Sequence, residues 1–118
     1  MADIPPEIEG KVVEFQGAQE QLQIVSAQKV QIKLQVDEID SAAEALKGAS
    51  GKVFKSAGML ILESDKDSLS KDLAERKESL SVRLQVLSRQ EEKLRKRLLE
   101  LKAEIESAAK GMQGPPAG

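Results

Sequence analysis

Two stretches of this chain repeat apolar residues every seven positions, and that repeat constrains the fold more than any other feature. Leu73, Leu80, Leu87, Leu94 and Leu101 stand at strict seven-residue intervals. A complementary seam holds Leu84, Leu98 and Ile105, interrupted by Lys77 and Glu91. Earlier in the chain one seam runs Ile8, Phe15, Leu22, Lys29, Val36, Ala43, and its companion runs Ala18, Val25, Ile32, Ile39, Leu46. Spacing of this kind specifies coiled-coil helix. Pro5-Pro6 with Glu7 and Glu9 suits a helix start, and Lys47-Gly48 suits a stop. The first helix is therefore expected over about 6–47, roughly 60 Å long. Ser64-Asp65-Lys66-Asp67 has the pattern of an N-cap with acidic first-turn residues. A second helix is expected over about 66–110, closed by Lys110-Gly111, with a disordered tail at 111–118.

Both helices are polar outside their stripes, so each needs a partner along its length. The chain supplies one if it doubles back. An antiparallel pairing then sets Phe15 against Leu101, Leu22 against Leu94, Val36 against Leu80 and Ala43 against Leu73, every pair sharing one sum. Ala18 with Leu98 and Ile32 with Leu84 obey the same sum. Matching lengths and this common register favour the hairpin over two helices that each pair with other chains.

Between the helices, GKVFKSAGMLILES (51–64) breaks the helical period. Two β-prone segments flank Ala57-Gly58, a two-residue turn with glycine where positive φ is needed. Phe54, Met59 and Ile61 then face one way, and Val53, Leu60 and Leu62 the other. An isolated two-stranded hairpin is marginal in water, and one apolar on both faces aggregates unless covered. The chain's own helices can cover part of one face, so the remainder points to neighbouring subunits. The local alternative is a hairpin packed only on its own helices.

Composition closes off most chemistry. The 118 residues contain no cysteine and no histidine, which removes disulfides, thiolate nucleophiles, imidazole catalysis and most zinc sites. Basic and acidic residues number 18 and 20, well mixed, for a net charge of −2, so neither nucleic acid nor an anionic membrane is implied. The longest apolar run is MLIL, and the N-terminus lacks the basic and apolar regions of a signal peptide, so a soluble, cytoplasmic protein is expected. The leucine repeat is not a DNA-binding zipper, because the preceding DKDSLSKDLAERK is close to neutral. The locally basic RQEEKLRKRLLELK (89–102) reads as a solvated face with Glu92–Lys96 and Glu91–Arg95 pairs, or less favourably as a patch for an acidic partner. Carboxylate pairs such as Glu7/Glu9 lack a cleft, and GASG lacks the spacing of a phosphate loop. No enzyme activity, cofactor or metal is expected.

The open end of the helical pair is the remaining unusual region. Ile4, Ile8, Val12 and Val13 meet Ile105, Ala108, Ala109 and Met112 there, while Lys11 occupies a seam position and Gly10 and Gly17 weaken the helix. The tip is expected to fray, leaving apolar side chains on a mobile support for a partner to cover; ordinary fraying of a coiled-coil end is the equal alternative.

The whole pattern resembles the prefoldin family, in particular its β-type, archaeal-like subunits. The resemblance lies in IPPEI, in QEQLQIVSAQKVQIKL, in KVFKSAGMLILES and in ERKESLSVRLQVLSRQEEKLRKRL, in the order long helix, one hairpin, long helix. It implies a mainly α fold: a long antiparallel two-helix coiled coil whose central β-hairpin oligomerises into a β-barrel platform. It also implies a chaperone hexamer of two α-type and four β-type subunits that is independent of ATP. Such a complex holds unfolded clients between coiled-coil tips and passes them to a group II chaperonin. The tip set is then Ile4, Ile8, Val12, Val13, Ile105, Ala108, Ala109 and Met112. The oligomerisation set is Val53, Phe54, Met59, Leu60, Ile61 and Leu62. The competing expectation is a coiled-coil adaptor or tether without chaperone activity.

Overall fold

The computed structural model describes residues 4–112, with the backbone alone at Met112. The element order is α1 (Pro6–Lys47), β1 (Val53–Ala57), β2 (Leu60–Ser64) and α2 (Lys66–Met112). Two long helices thus flank one antiparallel β-hairpin. The described residues divide into two compact units, one of residues 29–86 and one of residues 4–28 with 87–112. Both helices contribute residues to each.

In the unit of residues 29–86, the carbonyl ends of α1 and the amide ends of α2 are satisfied by neighbours. The Asp65 carboxylate accepts the amides of Asp67 at 3.0 Å and Ser68 at 3.3 Å, capping α2 as the sequence suggests. Hydrogen bonds from the Ser68 side chain and from these amides hold its pKa below the ordinary carboxylate value. At the other helix end, the Lys66 ammonium donates to the carbonyls of Lys47 and Ala49 at 3.0 and 3.3 Å. One residue past the cap of α2 therefore closes the end of α1, where a cation also complements the helix dipole.

The core of this unit is the seven-residue stripe Ile32, Ile39 and Leu46, all buried, against half-buried Leu73, Leu80 and Leu84. Lys77, which interrupts the seam, turns its ammonium to Asp40 at 2.6 Å. That pair lies within one residue of the antiparallel register expected from the sequence.

The hairpin differs from expectation in one detail. Its pairing is Val53–Ser64, Phe54–Glu63, Lys55–Leu62, Ser56–Ile61 and Ala57–Leu60, so the turn is Gly58-Met59 rather than Ala57-Gly58. Gly58 has φ +60°, and no residue other than glycine has positive φ among those described. Glycine thus takes the first central position, as in a type II′ turn, where the sequence had been given glycine in the second. The shift moves every pairing by two residues, which leaves the faces unchanged. Phe54 and Ile61 still share one face, and Val53, Leu60 and Leu62 the other. Met59 alone leaves its assigned face for the turn, where it is fully exposed.

In the other unit, Pro5 begins α1: its carbonyl accepts from Ile8 at 3.0 Å and Glu9 at 3.1 Å. Pro6 occupies the first turn, where its missing N–H has no partner to lose. Ile8, Val25, Leu87 and Leu101 are buried. Glu91 occupies the seam position that interrupts the α2 stripe. It accepts the Ser26 hydroxyl at 2.9 Å, again within one residue of the expected register. The helix α2 runs on through Gly111 to Met112, past the stop read at Lys110-Gly111. A single glycine lowers helix stability without forbidding helix, and no proline follows until Pro115. The remainder of the expected tail, 113–118, lies outside the described residues.

The Asp65 cap gives a pH-dependent prediction. Because its pKa is depressed on folding, its contribution is present above the unfolded-state value and is lost as pH falls through the folded one. Asp65→Ala is expected to lower Tm at pH 7, with the difference from the parent shrinking progressively below pH 3.8. Thermal melts by circular dichroism across that range check it, and Asp65→Asn is expected to retain most of the cap at pH 7.

Candidate functional site

Two groups of side chains stand out, one in each unit. The first is the hairpin. Phe54, Leu60, Ile61 and Leu62 are all large, apolar and exposed, Ile61 at 75%. They divide between both faces of a two-stranded sheet, and of its apolar residues Val53 alone is half-buried. Val53 and Phe54 line a groove of about 510 Å³ with Ala42, Ala45, Leu46, Leu69 and Leu73. The chain's helices therefore shelter only the β1 end of the sheet, and a Lys55–Asp72 pair at 3.6 Å tethers that strand to α2. Exposed apolar groups on both faces, with open strand edges, are the chemistry of a surface that other chains cover.

The second group is the pair of helix ends. Ile4 and Val13 are exposed, Ala109 is exposed, and Val12, Ile105 and Ala108 are half-buried. Ile8, expected among the accessible residues, is only 9% exposed, because it belongs to the seam as well as to the end. The Met112 side chain lies outside the described residues. Val12, Phe15 and Ile105 line an open groove of about 370 Å³ with Gln16, Gln19, Lys102 and Glu106. Leu99, 70% exposed, is a large apolar residue that the heptad reading passed over, because it falls off both seams. Its only signal in the sequence is an apolar residue at an outward position.

Charge flanks this end. Arg97 forks onto Glu14, Nε to Oε1 at 2.8 Å and Nη2 to Oε2 at 3.0 Å, and also reaches Glu100 at 3.3 Å and Glu104 at 3.9 Å. Glu104 lies 3.5 Å from Lys11. The hydrogen bond from Arg97 holds the Glu14 carboxyl below its usual range. Among the described residues, no group of three or more acidic side chains is placed to hold a metal ion. No helix there is long and apolar enough to cross a membrane.

Comparison with known proteins agrees with this geometry. Residues 9–111 match the family model described as prefoldin subunit. The chain belongs to the prefoldin family. Its similarity is to β subunits: 37% identity to prefoldin subunit beta of Thermococcus kodakarensis, covering 100% of both chains, and 36% to that of Methanococcoides burtonii, covering 96% of this chain and 97% of the relative. The crystal structure of the prefoldin beta subunit from Thermococcus strain KS-1 superposes with a TM-score of 0.84 at 36% identity, covering 98% of this chain and all of that one.

Prefoldin subunits are non-enzymatic chaperone components that assemble with other prefoldin subunits, so a chaperone role follows from membership of the family. The single hairpin and the two long helices described above are the shared architecture.

Within that architecture Gly58 resists replacement. At φ +60° a Cβ is strained whatever space surrounds it. Gly58→Ala is expected to cost about 1–2 kcal/mol, while Ser56→Ala on the neighbouring strand changes stability by no more than about 0.5 kcal/mol. Chemical denaturation followed by circular dichroism distinguishes the two.

Proposed function

We propose that this chain is a β-type subunit of an ATP-independent chaperone hexamer, with two α-type and four β-type subunits, that holds unfolded proteins and passes them to a group II chaperonin in the cytoplasm. The observation that carries the proposal is the hairpin, whose apolar side chains stand exposed on both faces. Val53, Phe54, Met59, Leu60, Ile61 and Leu62 form the subunit contact, closing with other hairpins into a β-barrel platform that leaves no strand edge free. Full burial of one such side chain contributes roughly 1.5–3 kcal/mol, so several together suffice to hold an assembly.

Clients are held at the other group, by Ile4, Ile8, Val12, Val13, Ile105, Ala108, Ala109 and Met112. Each contact is weak and small. Joining several ends on one platform raises their effective concentration, so a client with many exposed apolar segments binds with useful avidity without a deep pocket. Release then requires competition by the chaperonin for the same segments, and no nucleotide. The whole chain, 1–118, acts as a single prefoldin-like domain in this account.

Deleting residues 1–9 and 108–118 is expected to weaken suppression of client aggregation, read by light scattering, while the native mass of the α/β assembly drops only by the deleted residues. Ile61→Asp is expected to abolish the assembly itself, and with it the avidity for clients. A trimmed complex that protects clients as well as the full one would overturn the client grip. An intact complex without chaperone activity would mark the chain as an adaptor.

A further inference from the structure

The helix-end unit carries two features that weak apolar contact with clients does not require. Gly10 and Gly17 both lie inside α1, seven residues apart, and a Cβ built at either meets nothing within 4 Å. Packing therefore does not demand glycine at these positions, yet each makes the helix easier to open than alanine would.

The segment they bracket is fastened to α2 by charge as well as by packing. Glu14 takes the Arg97 fork at 2.8 and 3.0 Å, and Lys11, in a position where other turns place an apolar residue, reaches Glu104 at 3.5 Å. Arg97 is further held by Glu100 at 3.3 Å. Exposed ion pairs contribute little singly, but a two-pronged arginine–carboxylate contact inside a network is the favourable exception. The same unit buries Leu101 at 0% exposure and Ile8 at 9%, and half-buries Phe15.

The geometry points to a clasp: residues 6–16 of α1 swing from α2 on the Gly10 and Gly17 hinges, the Arg97–Glu14 fork holds them closed, and opening offers Ile8, Phe15 and Leu101 to a client. The inference rests on the client grip proposed above and gives it a gate. Opening places buried apolar surface in water, so the open form is a minor one in the free protein. A client that covers this surface binds the open form better and shifts the population toward it. The fastening is electrostatic and exposed, so it loosens with salt.

The test uses the full α/β assembly carrying Gly10→Ala with Gly17→Ala, or Arg97→Gln, and a chemically denatured, aggregation-prone model protein as client. Amide exchange of residues 8–17 reads opening, and light scattering reads holding. Each alanine lowers opening about fivefold, on the order of 25-fold together, with poorer suppression of aggregation at equal client ratio. Arg97→Gln speeds exchange, as does about 1 M salt on the parent, where charge screening reaches within roughly 3 Å. Slowed exchange with undiminished holding in the double alanine variant overturns the clasp, as does exchange that neither variant alters. The trimmed complex, lacking residues 1–9 and 108–118, separates the two ideas. If trimming abolishes holding and the alanines do not matter, the clasp alone fails. If trimming leaves holding intact, the client grip fails and the clasp falls with it.

Discussion

A two-stranded sheet with apolar side chains on both faces cannot be stable in water by itself, and the rest of this structure depends on that constraint. Strands of five residues make few backbone hydrogen bonds, and their ladder leaves an unpaired edge on each side. The chain's own helices shelter Val53 and part of Phe54 but leave Leu60, Ile61 and Leu62 exposed. Assembly is thus the natural completion of the fold, and family membership implies that other prefoldin subunits supply it.

The helices answer a different demand. A coiled coil of two strands buries a narrow stripe, and seven apolar residues among those described are buried. Such a stripe has little stability to spare, which gives each end-capping interaction weight. Asp65 at the start of α2 and Lys66 at the end of α1 stand side by side in sequence, so one dipeptide closes two helix ends beside the hairpin. The seam accepts charge in both units, Lys77 in the hairpin's unit and Lys11 and Glu91 in the other, but only the other carries two glycines in α1 with no packing need for them. Helix-end closure is thus concentrated beside the hairpin, and the helix-weakening glycines lie near the other ends of the helices.

Most of this was legible in the sequence because a heptad repeat encodes both the helix and its buried face. Val25, Ile32, Ile39 and Leu46 were read as one seam, and all four are buried. The turn was legible only to within one residue. Ala57-Gly58 and Gly58-Met59 both offer a two-residue loop containing glycine, and only the backbone reveals that glycine comes first. The faces survived because side chains alternate with a period of two, and the error moved each pairing by two. Ile8 was harder, since one residue was read as both seam and accessible end, and the structure places it in the seam. Leu99 carried no periodic signal. A surface completed by other chains has no signature in one of them beyond the apolar excess that it must cover.

Hydrogen exchange at residues 53–64 tests this account most directly, measured on the dilute chain alone and again after mixing with an α-type prefoldin subunit, with native mass confirming each state. The account predicts rapid exchange in the lone monomer and strong protection on assembly. Protection of those amides in a verified monomer would contradict it, because the hairpin would then need no cover from other chains.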